Sequence, residues 1–444
     1  MARENQMHLG LYLSWGGEHI GGWRLPEAEH GAEKLDVVVR GVQAAERGKF
    51  DFVFSADGLA TTLDFHPSSL VHFEPLTLLS ALSVLTSRIG LASTVSTTYS
   101  EPYNVARLLA SLDHLSNGRA GWNVVTGSQP EAAWNFGKDT HPDQAERYAI
   151  AKEYLEAIKG LWDSWEDGAI VENKETGQYI DADKLHILDH VGEHFRIKGP
   201  LNITRPPQGY PVIMQAGGSE AGLDFAARTA EVVFVNQTSI DDAIEFRKDL
   251  QDRCERAGRP RNAIKVLPGL NVYWAETEDA GKAKLAELAS FTDRAAAMKV
   301  LSERLGQDLS AYPLDGPVPD LPPSKIMQGH ANALKAIAKR EQLTLGELLD
   351  YAAAGSGHRV LYGPAEKIAD DMEEWFRRGA ADGFMLKFGY VPRPIEEFVE
   401  HVVPVLQKRG LFREDYQGTT LREHLGLSRP PHPAAATRGA AVGE

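Results

Sequence analysis

The chain has 444 residues, of which 43% are hydrophobic and 25% charged, a composition typical of a globular protein with a sizeable core. Its net charge of −15 argues against binding to nucleic acid or to an anionic membrane surface. The single cysteine excludes an internal disulfide, and the lack of a signal-like N-terminus or a long apolar run predicts a cytoplasmic protein without a membrane segment.

Taken in chain order, apolar runs predict eight strands: Met7–Leu13, Phe50–Ser55, Ile89–Val95, Ala120–Val125, Val212–Ala216, Val232–Val235, Lys265–Trp274 and Phe384–Phe388. Helical spacing of apolar residues predicts helices at Leu35–Lys49, Pro75–Thr86, Pro102–Leu115, Gln144–Trp165, Glu220–Thr229, Asp241–Ala257, Ala280–Leu305, Ala365–Arg378 and Ile395–Arg409. Apolar strands that alternate with helices indicate a parallel sheet, and eight such units favour a closed (β/α)8 TIM barrel.

Two segments interrupt this alternation. Residues 168–200 are polar, and residues 306–357 contain clustered prolines and one predicted helix near Ala331–Arg340. We therefore expect one barrel domain over residues 1–427, with two insertions and a C-terminal extension. Residues 428–444 are rich in proline and alanine and are predicted to form a disordered tail.

Polar residues follow several predicted strands, and barrel enzymes bind their ligands at that end of the barrel. Asp57 follows the second strand, and Ser96 and Thr97 follow the third. Asn123 interrupts the fourth strand, so its amide is either hydrogen-bonded in the core or directed into the barrel mouth. Asp57 also has a structural alternative, because Asp-Gly is a turn signature.

The fifth strand is followed by Gly217, Gly218 and Ser219, which open a helix. Flexible glycines, free backbone N–H groups and a hydroxyl at the N-cap together form a phosphate cradle, although plain helix capping explains the same residues. Arg147 and Tyr148, near the start of another helix, are placed to reach an anion.

A Gly/Trp-rich loop, WGGEHIGGWRLPEAEHG, follows the first strand and contains Trp15, His19, Trp23 and Arg24. A surface loop or lid is one interpretation. The aromatic residues favour the other, in which the loop faces the substrate.

The sequence lacks the signatures of several other chemistries. It has no G-x-G-x-x-G after a predicted strand, no G-x-x-x-x-G-K-[ST] and no G-x-S-x-G. His186, His190 and His194 are spaced by four residues, but their segment has no helical periodicity. We therefore predict neither a metal site nor a hydrolytic nucleophile.

Four long segments, residues 92–127, 145–165, 210–234 and 403–427, resemble one known family. They include ASTVSTTYSEPYNVARLLASLDHLSNGRAGWNVVTG and YPVIMQAGGSEAGLDFAARTAEVVF, and the resemblance extends from His8 to Leu427. The family is the bacterial luciferase-like superfamily of flavin-dependent monooxygenases, in the branch that contains nitrilotriacetate monooxygenase component A, EDTA monooxygenase, dibenzothiophene sulfone monooxygenase and long-chain alkane monooxygenase.

This resemblance implies a TIM barrel that binds reduced FMN supplied by a separate NAD(P)H-dependent flavin reductase. With O2, such an enzyme oxygenates a small organic substrate, often with cleavage of a C–N or C–S bond. The expected substrate is a polyaminocarboxylate, an organosulfur compound or an alkane-like molecule. A homodimer or homotetramer is expected, as in other family members. Because the cofactor performs the difficult chemistry, no catalytic triad is needed.

Carried over by position, the expected flavin-binding residues are Asp57, Ser96, Thr97, Asn123, Gln144, Tyr148, Gly218 and Ser219. Asp57 would anchor the polar edge or the ribityl chain of the flavin, and Tyr148 and Ser219 its phosphate. The family helix often carries a histidine four residues before the tyrosine, where this chain has Gln144. Either Gln144 makes a neutral contact there, or His141 fills the space from the preceding loop.

The candidate catalytic residues are His19, Asn123 and Gln144, and the candidate substrate contacts are Trp15, Trp23 and Arg24. His19, Arg24 and Arg393 are hypothetical receivers of substrate carboxylates. Two alternative functions share the barrel. One is a coenzyme F420-dependent oxidoreductase, and the other is a flavin-binding barrel without catalysis, which only Gln144 favours.

Overall fold

The computed structural model describes residues 6–61, 66–321 and 328–434. The strands are β1 His8–Tyr12, β2 Phe52–Ser55, β3 Gly90–Ser96, β4 Ala120–Val125, β5 His190–Val191, β6 Arg196–Ile197, β7 Val212–Ala216, β8 Val232–Val235, β9 Lys265–Trp274, β10 Arg359–Gly363 and β11 Gly383–Lys387. The helices are α1 Leu35–Arg47, α2 Pro67–Leu70, α3 Pro75–Leu85, α4 Pro102–Leu115, α5 Ala132–Asn135, α6 Gln144–Trp162, α7 Glu220–Thr229, α8 Ile240–Arg256, α9 Glu278–Ser290, α10 Arg294–Leu305, α11 Gln328–Glu341, α12 Leu345–Gly355, α13 Ala365–Arg377, α14 Arg393–Glu397, α15 Val403–Lys408 and α16 Leu421–His424.

Eight strands form a closed barrel in the order β11-β1-β2-β3-β4-β7-β8-β9, and β9 pairs back to β11. Every neighbouring pair in the barrel is parallel, which a helical crossover between strands allows. The strands are buried almost throughout because helices cover the outside and side chains fill the inside. The predicted TIM barrel is therefore confirmed.

Strand β10 was not among the strands predicted from the sequence. Strand β9 is long enough to carry two partners on one edge, and β10 pairs in parallel with its second half, beyond the end of β8. Since β10 lies between the second predicted insertion and the next helix, its five residues offered little pattern.

The first predicted insertion is an excursion between α6 and β7. It contains the antiparallel hairpin of β5 and β6. Glu153 of α6 holds this hairpin, because its carboxylate accepts hydrogen bonds from the backbone N–H groups of His194 and Phe195 at 2.9 and 2.8 Å.

The second insertion lies over the barrel mouth, and we call α10, α11 and α12 the lid. Their apolar side chains form a separate core, which Ile20 of the first loop joins. The predicted helix Ala280–Leu305 is wrong in its middle, where Asp293 caps a new helix, α10. The single helix predicted near Ala331–Arg340 is α11, and α12 follows it with a capping box of Thr344 and Glu347.

The C-terminal extension closes the opposite end of the barrel. Leu421 and Leu425 pack beneath the strands against Phe52 and Val212 in one buried cluster. Residues 428–434 continue across the surface, where Arg429 pairs with Asp167 at 2.7 Å. The predicted disordered tail therefore does not begin at 428, and residues 435–444 lie outside the described residues.

A buried ion network ties this extension to the barrel. Asp51, which precedes β2, contacts Arg413 and accepts a hydrogen bond from the backbone N–H of Leu9 at 2.9 Å. His8 Nδ1 lies 3.0 Å from the same carboxylate. Burial opposes the ionisation of Asp51, but the charges of Arg413 and His8 and the hydrogen bonds from His8 and Leu9 together outweigh it and hold the pKa well below its usual range.

No helix in the described ranges is long and apolar enough to cross a membrane.

Candidate active site

A cavity of about 2150 Å³ opens at the carboxyl ends of the barrel strands, under the lid. This volume exceeds the roughly 300–1,000 Å³ of a site for one drug-sized ligand. The cavity therefore has room for two ligands side by side.

One wall of the cavity is the turn between β7 and α7. Gly217 has a φ of +138° there, and a Cβ on Gly217 or Gly218 would meet no atom within 4 Å. Ser219 caps α7, and its Oγ accepts the N–H of Gly222 at 3.2 Å. The turn therefore presents open backbone and a positive helix terminus to the cavity, which suits an anion.

The start of α6 faces this turn. Gln144 Nε2 donates to Ser219 Oγ at 3.4 Å, and a Cβ at Gly222 would lie 2.8 Å from the Tyr148 hydroxyl. Arg147 also lines the cavity, and its buried Nε makes no hydrogen bond within the described part of the chain. Hydroxyl, amide and guanidinium donors thus line the cavity around one helix terminus.

If the cavity binds FMN, as the family resemblance implies, Gln144→Ala is expected to weaken that binding about three- to tenfold, because one neutral hydrogen bond contributes about 0.5–1.5 kcal/mol. Fluorescence titration of FMN measures this effect. Glu156→Ala, on an exposed position of the same helix, is the control and should leave the affinity unchanged. Equal affinities for the wild type and Gln144→Ala would show that Gln144 does not contact the flavin.

Gln144, and not His141, lies beside Ser219 at the turn between β7 and α7. Gln144 lines the cavity, whereas His141 is absent from the lining and its Nδ1 lies 2.6 Å from the Tyr99 hydroxyl. Burial, aided by the charge of Arg147, lowers the pKa of His141.

A second wall lies at the end of β2. Asp57 Oδ1 is 3.1 Å from His72 Nε2, and the His72 ring stacks on Trp15 with a centroid distance of 6.0 Å. All three side chains line the cavity. The pairing with His72 fixes the Asp57 carboxylate at the cavity surface.

The predicted residues of β3 and β4 separate into two groups. Ser96 lines the cavity, whereas Thr97 is buried and both its N–H and its hydroxyl donate to the Val125 carbonyl. Asn123 is also buried behind the wall, and its Nδ2 donates to Thr94 Oγ1 at 2.9 Å. Thr97 and Asn123 therefore support the wall without lining it.

Most of the first loop lies outside the cavity. Trp23 is 52% exposed, and Arg24 donates to the Phe291 carbonyl at 2.7 Å. His19 is buried, accepts the Gly21 N–H, and burial lowers its pKa to about 4. Arg393 pairs with acidic residues of its own helix. Of the loop candidates, only Trp15 reaches the cavity.

The far end of the cavity contains an ion pair that the sequence analysis missed. Lys387 Nζ lies 2.7 Å from Glu18 Oε2, and these side chains are only 5% and 9% exposed. Ser14 donates to the other Glu18 oxygen, and Lys387 lies over the ring of Tyr12 at 4.3 Å. Burial opposes ionisation of Glu18, but Lys387 outweighs it and lowers the pKa of that carboxyl. A lysine inside the apolar run FMLKF was the available signal.

The described residues contain no group of three or more histidine, cysteine or acidic side chains placed to hold a metal ion. His190 instead lies 3.0 Å from Glu153, and His186 lies 2.8 Å from Glu166.

A sequence model described as luciferase-like monooxygenase matches residues 18–382. N-acetyl-S-(2-succino)cysteine monooxygenase of Bacillus subtilis is 46% identical over 97% of this chain and 98% of its own, and nitrilotriacetate monooxygenase component A of Aminobacter aminovorans is 45% identical over 98% and 99%. The structure of DmoA from Hyphomicrobium sulfonivorans superposes with a TM-score of 0.87 at 30% identity, covering 99% of this chain and 97% of that one.

Proposed function

This chain belongs to the luciferase-like monooxygenase family, and we propose that its cavity holds reduced FMN beside a small organic substrate, which is oxygenated with O2. The observation that carries the proposal is the phosphate cradle of Gly217, Gly218 and Ser219, which faces the start of α6 across the cavity.

The residues present fit FMN. The cradle has open space where a phosphate needs it, and Arg147 has a buried Nε that makes no hydrogen bond within the described ranges. Ser219, Tyr148 and Gln144 would hold the phosphate. Asp57, fixed by His72, would orient the polar part of the ring or the ribityl chain. When bound, reduced FMN supplies the electrons that activate O2.

The other wall residues shape the space around the two ligands. Ser96 and Thr94 form part of the wall, and Thr97 and Asn123 hold it from behind. The lid core lies over the mouth, so its closure would exclude water from the reacting groups.

We propose that a separate NAD(P)H-dependent flavin reductase supplies the reduced FMN, and that both proteins act in the cytoplasm. One support is the relative whose name, component A, implies a second component. A homodimer or homotetramer is proposed as well. It is supported by Val84, Leu108 and Leu115, which are 74%, 51% and 55% exposed on the packed helices α3 and α4.

Reconstitution tests the proposed function. The protein is mixed with FMN, NADH and a generic flavin reductase, and a panel of polyaminocarboxylates, thioethers, sulfones and alkanes is supplied under 18O2. We expect at least one compound to yield a product that carries the label, measured by mass spectrometry. Omission of the reductase is the control and should abolish the product.

Two outcomes would contradict this prediction. Turnover with a reduced deazaflavin alone would support the F420-dependent alternative. FMN binding without labelled product from any member of the panel would support the non-catalytic barrel.

A further inference from the structure

Burial of the ion pair of Glu18 and Lys387 has an unfavourable desolvation free energy. Moving two charges out of water costs several kcal/mol per ion, and apolar side chains of similar volume often give equal or greater stability. The pair is therefore poor evidence for a stabilising role. Both side chains line the cavity, so a role toward a ligand accounts better for their presence.

The ammonium of Lys387 has more N–H donors than its ion pair with Glu18 uses. An ammonium carries three N–H groups, and Glu18 is the only carboxylate within 4.0 Å of it among the described residues. The ring of Tyr12 covers one side of the ammonium at 4.3 Å. A ligand oxygen in the cavity would therefore meet an ammonium that Glu18 and Tyr12 already hold in place.

His66 lines the same end of the cavity. Its Nδ1 accepts the N–H of Ser68 at 3.2 Å, which leaves the proton of the neutral ring on Nε2. That nitrogen is buried beside the backbone of Glu18, an acceptor that raises the pKa of the ring, so its N–H lies at the same place as the ion pair. Burial lowers the pKa of His66 to about 4, and the nearby charges of Arg304 and Lys387 act in the same direction while Glu18 opposes them. His66 is thus a neutral donor.

We propose that this end of the cavity binds a carboxylate group of the substrate through Lys387 and His66, so that the natural substrate is an organic acid. Arg304 of the lid adds a second cation at the same end. This inference rests on the proposed function, and it favours the polyaminocarboxylate class, or an organosulfur acid, over an alkane-like substrate.

Calorimetric titration of the FMN-loaded protein tests the inference without turnover. The probes are succinate, iminodiacetate and thiodiacetate, each compared with its dimethyl ester, which has the same skeleton without charge. We expect at least one diacid to bind at least tenfold more tightly than its ester. If no diacid binds more tightly than its ester, the inference is wrong.

Variants of Glu18 and Lys387 test whether the ion pair causes the preference for a diacid over its ester. Lys387→Met alone would leave Glu18 buried without its partner, so the informative variant is the neutral double change Glu18→Gln with Lys387→Met. It should reduce the preference for the acid to within about threefold, while Lys387→Arg retains most of it. Lys198→Met removes an exposed lysine that pairs with Asp189 at 2.8 Å, and it should leave the preference unchanged.

Persistence of the acid preference in the folded double variant would overturn the inference. The comparison of acid with ester on the unmodified protein decides it even if the double variant does not fold. Failure of the reconstitution would contradict the proposed function and leave these binding results standing. Oxygenation of neutral compounds only, without binding of any diacid, would contradict the carboxylate site alone.

Discussion

Ser219→Asp is expected to weaken FMN binding about a hundredfold or more while leaving riboflavin binding unchanged. Aspartate caps a helix as well as serine does, so α7 should persist. The new carboxylate, however, would lie against the phosphate. Two unit charges 4 Å apart near a protein surface interact by about 4 kcal/mol, roughly a thousandfold in affinity. Riboflavin has no phosphate and therefore escapes the repulsion. Fluorescence titration with each flavin measures both affinities.

The control changes another helix cap in the same way. Thr277 caps α9 and accepts the Ala280 N–H at 3.1 Å, but it does not line the cavity. Thr277→Asp should leave the binding of both flavins unchanged. If Ser219→Asp changes the affinities for FMN and riboflavin by the same factor, no phosphate lies against residue 219 and the cradle is not the phosphate site.

Arg413→Met is expected to lower the free energy of unfolding by about 3–5 kcal/mol, because the buried carboxylate of Asp51 loses its arginine partner and keeps only His8 beside it. Urea denaturation followed by circular dichroism measures the loss. Arg261→Met, at an exposed arginine 2.6 Å from Asp252, is the control and should change stability by no more than about 0.5 kcal/mol.

The double change of Asp51→Asn with Arg413→Met should recover more than half of the loss in the free energy of unfolding, since a neutral amide then replaces the buried carboxylate.

The pH dependence of stability follows from the lowered pKa of Asp51. Its contribution is fully present above the unfolded pKa of about 3.9 and is lost as pH falls through the folded pKa. Wild-type stability should therefore fall below about pH 4 more steeply than that of the double variant. Equal slopes would show that Asp51 is not the group responsible.

The barrel could be predicted because its strands have a clear sequence pattern. Runs such as those of β3 and β11 are apolar and end at polar residues, and the helices between them repeat with a clear period. The lid was harder. Asp293 and the Thr344–Glu347 capping box mark the starts of α10 and α12, but the apolar spacing runs through the first and prolines obscure the second.

The two ends of the cavity differ in how much the sequence shows. The proposed phosphate cradle is local in the chain, so its glycines and capping serine could be recognised from the sequence. The carboxylate end is assembled from the first loop, the last strand and the lid. Glu18 and Lys387 are far apart in sequence, and only the closure of the barrel brings β1 beside β11.

The Asp51–Arg413 contact can form only late in the synthesis of the polypeptide. The two residues are separated by 362 positions, and ribosomes add about 5–20 residues per second. Roughly 20 to 70 s therefore pass between the synthesis of Asp51 and that of Arg413. Until then the Asp51 carboxylate has His8 but not Arg413 as a partner, and the barrel itself cannot close before β11, which joins β1 to β9, has been synthesised.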